Sequence, residues 1–190
     1  MQKLIQILRN FCKTNLEEGA GAIQEPPTFN TQSYEQISKY VTWKEATKSQ
    51  TAVRLQLDNT PKNPSHILNM RHVAETIFDP VREFNGGPLY VSSFYRSIEL
   101  NEAIGGSPRS QHCKGEAIDL DADVYGGKTN QEIFEFIRDN LDFDQLIHEF
   151  GEEENPAWVH VSCKYDTQQN RGSILRAYKE NGVTKYKKWL

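Results

Sequence analysis

The chain has 190 residues, 37% of them hydrophobic and 25% charged, with a formal net charge of −4. That length holds one domain with a real core and a short appendage, and its interspersed acids and bases lack the cationic face of a nucleic-acid binder. No apolar run reaches the length of a bilayer span, and three cysteines, Cys12, Cys113 and Cys163, argue against a disulfide framework.

The opening "MQKLIQILRNFCKTN" is amphipathic but broken by Gln and Arg, without the continuous apolar region and small-residue cleavage site of a signal peptide. Synthesis in the cytoplasm is the expectation, with any export by another route. "GAGAIQEPPTFNTQS" reads as a linker or strap, which divides the chain into residues 1–38, a helix and linker, and residues 39–190, the main domain. Thr42 and Glu45 form a capping-box pattern and predict a helix that continues through Ala46 and residues 53–57. "SHILNMRHVAETIFDPVREF" carries apolar residues near helical period, with Pro80 expected to kink it.

Gly86, Gly87 and Pro88 end that helix and introduce "LYVSSFY", a β-branched and aromatic strand. "SIELNEAIGG" predicts a short helix closed by glycine, and "GEAIDLDAD" a strand with Ala117 and Asp119 on one face and Ile118 and Leu120 on the other. "NQEIFEFIRDNL" is an amphipathic helix. "FDQLIHEF" and "AWVHVSCKY" are strands joined by the acidic loop "GEEENP", and Asn181-Gly182 marks a terminal hairpin. The basic end "VTKYKKWL" reads first as a solvated strand and second as a polyanion contact. Helices collect early and strands late, so the fold class is α+β: a small antiparallel sheet with N-terminal helices packed on it.

The run "GGSPRSQHCKGEAIDLDAD" sets His112 and Asp119 seven positions apart. Catalytic zinc takes three ligands from His, Asp or Glu and keeps a position open for water. His160, on one strand face with Trp158 and Ser162, is the third candidate; taken alone it reads first as a half-buried, hydrogen-bonded histidine. Asp121 and Asp123 lack calcium-loop spacing and read as solvent-facing loop acids.

Together "SFYRS", "LN", "GGSPRSQHCKGEAIDLD", "FDQLIHEFG" and "WVHVS" resemble the zinc D-alanyl-D-alanine peptidases and related phage peptidoglycan peptidases, of hedgehog/DD-peptidase fold. Ser110 or Ser107, His112, Gly115, Ala117 and Asp119, then Trp158 and His160, follow the family's pattern over roughly residues 40–165. The upstream helices look like those of a phage-associated branch. The resemblance implies a Zn2+ ion on His112, Asp119 and His160. It implies that Arg96 faces the substrate and stabilises the oxyanion; the alternative for Arg96 is a salt bridge holding the strand end. Ser110 and Gln111 line the pocket or shape the loop before His112. Trp158 stacks on substrate or belongs to the core.

Relatives often carry an acid three positions before the last histidine, where this chain has Ala157. Glu149 is the expected general base, with His148 as the fallback should a bulge exchange their faces, and Glu154 as a more distant candidate. Phe94 stands where relatives often have glycine and is expected to add bulk beside Arg96. Cys113 and Cys163 read as buried thiols.

The implied function is a zinc metallopeptidase acting on peptidoglycan peptides, as D-Ala-D-Ala carboxypeptidase or endolysin-type endopeptidase. The implied partner is the cell-wall peptide, with no nucleic acid and no stable membrane insertion, and the implied route to the wall is a holin-type pore. A non-catalytic zinc-stabilised phage structural or wall-binding module is the main alternative. A cysteine hydrolase built on Cys113 is a third reading.

Overall fold

The computed structural model describes residues 36–189; the helix and linker expected before them lie outside the described residues. Helix α1, Trp43–Thr47, begins with Thr42 and Glu45 satisfying each other's backbone N–H groups. The sequence reading ran this helix on through residues 53–57, but the chain breaks after Thr47. Ser49 is extended and caps a second helix, α2, Gln50–Leu55, by accepting from the Ala52 N–H. A hydroxyl that satisfies an orphan helix donor makes a restart as favourable as continuation.

Helix α3, Pro64–Val73, passes through one π-helical turn, Ala74–Phe78, into α4, Asp79–Asn85. The wide turn is how the helix accommodates Pro80, which has no N–H to donate and would crowd a carbonyl four residues back. Strand β1, Tyr90–Ser93, helix α5, Ile98–Ala103, a 3-10 turn at Gln111–Lys114, and strand β2, Ala117–Asp121, follow. Helix α6, Asn130–Asn140, precedes β3, Gln145–Glu149, and β4, Trp158–Ser162. Strands β5, Ser173–Glu180, and β6, Val183–Lys188, close the domain around Asn181 and Gly182, both at positive φ.

The six strands lie in the order β1-β2-β4-β3-β5-β6. Every pair is antiparallel except β3 and β5, so the sheet is largely antiparallel, as expected, but mixed. The cause is occupancy: β2 already holds the free side of β4. The chain leaving β4 must therefore cross to the far side of β3 and run alongside it.

One sheet face builds the core. Ile118, Leu120, Leu146, Val159 and Val161, all fully buried, meet Met70, Val73 and Ile77 of the α3 region and Ile133, Phe134 and Ile137 of α6. Near-continuous burial of apolar side chains against both helix layers is the main stabilising term. Among the described residues, no helix is long and apolar enough to cross a membrane.

Candidate functional site

The opposite sheet face carries the polar residues, and strand register aligns them. Asp119 of β2 pairs with His160 of β4, which pairs with Ile147 of β3; one row on, Trp158, Glu149, Ala177 and Tyr186 lie across β4, β3, β5 and β6. Directly paired residues share a face, so Asp119, His160 and Glu149 project to the same side. At β1, Ser92 is an extra residue, and the bulge brings Ser93 opposite Asp119.

His112 reaches this face from the 3-10 turn before β2. Gly115 ends that turn at φ 70°, where a Cβ would stand 2.5 Å from the His66 carbonyl oxygen of α3. Only glycine combines that backbone conformation with so close a helix. The His112 ring is buried, and its Nδ1 donates to the Phe94 carbonyl at 2.6 Å. The proton is thereby fixed on Nδ1 and the lone pair on Nε2.

That lone pair faces two further acceptors. His112 Nε2 lies 3.2 Å from Asp119 Oδ1 and 3.3 Å from His160 Nδ1, and His160 Nδ1 lies 2.8 Å from Asp119 Oδ1. One proton on His160 can serve Asp119 but leaves the His112 lone pair against the carboxylate. A second proton is opposed by burial, which pushes the His112 pKa down against the pull of Asp119. Burial alone would raise the Asp119 pKa, yet the two imidazoles hold that carboxyl well below the usual range. Two imidazole nitrogens and a carboxylate oxygen at this spacing form a donor set that fits a divalent metal ion. The separations are close to the roughly 3.3 Å expected between ligand atoms of a tetrahedral zinc with bonds of about 2.0 Å. Among the described residues, this group of His, Cys, Asp or Glu has metal-binding geometry.

Arg96 Nη2 donates to the outer oxygen of Asp119 at 2.7 Å, and its Nε donates to Ser93 Oγ at 2.8 Å. The guanidinium thus holds the carboxylate so that Oδ1 turns to the histidines. It also lines a groove between β1 and the α1–α2 segment. The salt bridge expected as the alternative for Arg96 is present, and the guanidinium also borders the groove.

Glu149 is 7% exposed. Burial pushes its pKa up to about 7, against the downward pull of His160 and with reinforcement from Asp119. His148 lies on the other face, fully buried between Phe134 and Trp189, with no hydrogen bond to either ring nitrogen. No bulge interrupts β3, so alternation keeps His148 away from the site. Glu154 is exposed in the β3–β4 loop.

The remaining candidates are dispersed. Gln111 donates to Asp144 Oδ2 at 3.0 Å and to Glu116 Oε2 at 3.3 Å, tying the His112 turn to the start of β3. Ser110 is half-buried, and its carbonyl accepts from the Cys113 N–H. Trp158 is half-buried, inclined against Phe150 and paired with Glu149 across the strands. Phe94 corrects the expectation of bulk beside Arg96: its side chain is in the core, and its carbonyl is what serves the site. Cys163 is buried on the helix side and Cys113 half-buried, both as free thiols whose pKa burial raises.

Sequence reasoning missed Ser93, the Phe94 carbonyl and Tyr186, since a bulge, a backbone oxygen and a terminal hairpin carry no motif. It also missed the buried Asp144, which receives hydrogen bonds from Gln111 and from the backbone N–H and guanidinium of Arg171. Asp121 and Asp123, read as solvent-facing, both accept from the buried Asn130 amide and so fasten α6 to the sheet.

Comparison with known proteins gives one family: the model described as Peptidase M15 matches residues 39–162. No curated protein matches the chain.

Proposed function

Since this chain belongs to the peptidase M15 family, we propose that it is a zinc-dependent peptidase that hydrolyses peptide bonds of bacterial peptidoglycan. The observation that carries the reading is the meeting of His112 Nε2, Asp119 Oδ1 and His160 Nδ1, three potential ligand atoms within 3.3 Å of one another. These atoms would hold the zinc. Bound there, zinc supplies a Lewis acid that brings the acidity of water near neutrality and polarises a carbonyl.

The chain's own residues do the rest. Glu149, on the same sheet face, accepts the proton of the attacking water on its carboxylate and returns it to the departing amine. Its pKa near 7 suits both transfers, and a cation at the three acceptors draws it toward the ionised form. Arg96 keeps Asp119 oriented through Nη2 and presents positive charge to the groove where the scissile carbonyl's oxygen becomes an anion. Trp158, beside Glu149, forms the side wall for the substrate, with Ser110 at the mouth of the site; Gln111 acts by holding the His112 turn.

The reading assigns the domain, residues 39–190, to the hedgehog/DD-peptidase fold and its substrate to wall peptides containing D-amino acids. Cleavage is of the carboxypeptidase or endolysin type, and access to the wall is through a holin-type pore. The decisive experiment is release of new amino groups from purified peptidoglycan. Wild type should release them, chelator or Glu149→Gln should abolish release, and zinc should restore it to the chelated wild type. Stoichiometric zinc binding with no release from several wall types would leave the non-catalytic module as the reading, and chelator-insensitive release would favour the cysteine hydrolase.

A further inference from the structure

The groove that begins at Arg96 is lined by cations. It encloses about 1450 Å³ between β1 on one side and α1, α2 and the loop after them on the other. Lys44, Lys48, Arg54 and Arg96 line it, and among the described residues no Asp or Glu does, in a chain where acids outnumber bases by 26 to 22. Lys44, Lys48 and Arg54 form no ion pair among the described residues, whereas Arg96 is paired with Asp119. The Lys48 ammonium lies 4.1 Å from the centroid of the Tyr90 ring, which holds it across the groove. Three unpaired cations beside Arg96, with no acid among the described lining residues, make the wall complementary to an anion.

The shape favours an extended chain. Strand β1 is the sheet's edge, paired only with β2, and among the described residues the backbone of Tyr90 to Ser93 forms no hydrogen bond outside that ladder. Ser92 and Ser93 face the groove, and exposed Val53 and Ile104 supply apolar surface on its walls. A peptide laid along a free strand edge gains backbone hydrogen bonds, and flanking side chains then read its sequence.

We propose that this groove is a specificity site for the acidic portion of an extended peptide substrate, with Lys44, Lys48 and Arg54 pairing with carboxylates next to the bond presented at Arg96. The assignment of a peptide as occupant rests on the peptidase reading, while the preference for carboxylates rests on the charge of the groove.

The test separates the two. Full-length chain carrying Glu149→Gln and loaded with zinc is titrated with a fluorescent pentapeptide, Ala-D-Glu-Lys-D-Ala-D-Ala, and with the same peptide bearing D-Gln. The carboxylate form should bind about three- to ten-fold tighter, the scale of one or two partly exposed ion pairs, and the advantage should shrink as salt rises. Lys44→Gln/Lys48→Gln, and separately Arg54→Gln, should reduce the advantage while leaving zinc stoichiometry and thermal melting unchanged. Equal affinities for the two peptides, an advantage that survives in both variants, or no binding of the D-Glu peptide at millimolar concentration would overturn the proposal. A wild type that releases no amines, yet shows the carboxylate preference in this assay, would instead refute the catalytic reading and leave the groove assignment standing.

Discussion

Glu149→Gln in the metal-free protein should make the fold more stable and the enzyme inactive. The wild-type carboxyl titrates at about 7 in the folded chain against an ordinary value of 4.5. The raised value means that the protonated form is the one the fold accepts. Below about pH 4.5 both folded and unfolded chains hold the proton, and Glu149 exerts no penalty. Between about 4.5 and 7 the unfolded chain releases it while the folded chain does not, so stability falls as pH rises. A gap of about 2.5 pH units at about 1.36 kcal/mol each gives a loss of about 3 kcal/mol, complete above pH ~7. With the residue only 7% exposed, solvent screens little of this. Glutamine has the same shape and no charge, so the variant escapes the loss. The assay is urea unfolding of chelator-treated wild type and variant from about pH 5 to about pH 8. The variant should gain on wild type as pH rises to about 7 and then hold that advantage. A stability difference that stays constant across that range would refute the burial argument and, with it, Glu149 as a carboxyl tuned to move protons near neutrality.

Gly115→Ala should destabilise the fold by about 2–4 kcal/mol in thermal or urea melts and weaken zinc binding, because the added Cβ collides with the His66 carbonyl and shifts the His112 turn. Asp144→Asn should lose about 2 kcal/mol at neutral pH. Burial alone would raise the Asp144 pKa, but Arg171 and Gln111 hold it at about 2 against an ordinary 3.8; the contribution is therefore present above about pH 4 and vanishes as pH falls through about 2, so urea melts should show the wild-type advantage closing in that window. His112→Ala and Asp119→Ala should abolish stoichiometric zinc uptake by calorimetry, and chelation should lower the melting temperature of wild type but not of either variant.

The fold was legible wherever a pattern is local. The Thr42–Glu45 capping box, the alternation of "AIDLD" and "WVHVS", and the Asn181-Gly182 turn each state their structure within a few residues. What was not legible depends on who sits beside whom. The parallel β3–β5 pair exists because β2 occupies the side of β4 that β5 would otherwise take, and no feature of "SILRAYKE" announces that. The helix break at Ser49 turns on a single hydroxyl that accepts from the Ala52 N–H, a cap of the kind that contributes about 1 kcal/mol.

The candidate site divides along the same line. His112, Asp119 and His160 could be named because their motifs resemble a family's ligand pattern; a turn ended by glycine and two alternating strands are what point them to one place. Glu149 and His148, adjacent in sequence, were separable by strand parity alone, since an unbroken β3 must send one to each face. Arg96 was harder, because its two proposed roles are not rivals: a guanidinium has five donors, and here two serve Asp119 and Ser93 while the residue still borders the groove. Gln111 shows the reverse. It stands next to His112 in the chain, yet its amide is committed to Asp144 and Glu116, because the buried Asp144 carboxylate, itself without a motif, needs every donor within reach. Residue type and spacing identify the atoms that chemistry requires, whereas the atoms that hold them in place are chosen by burial.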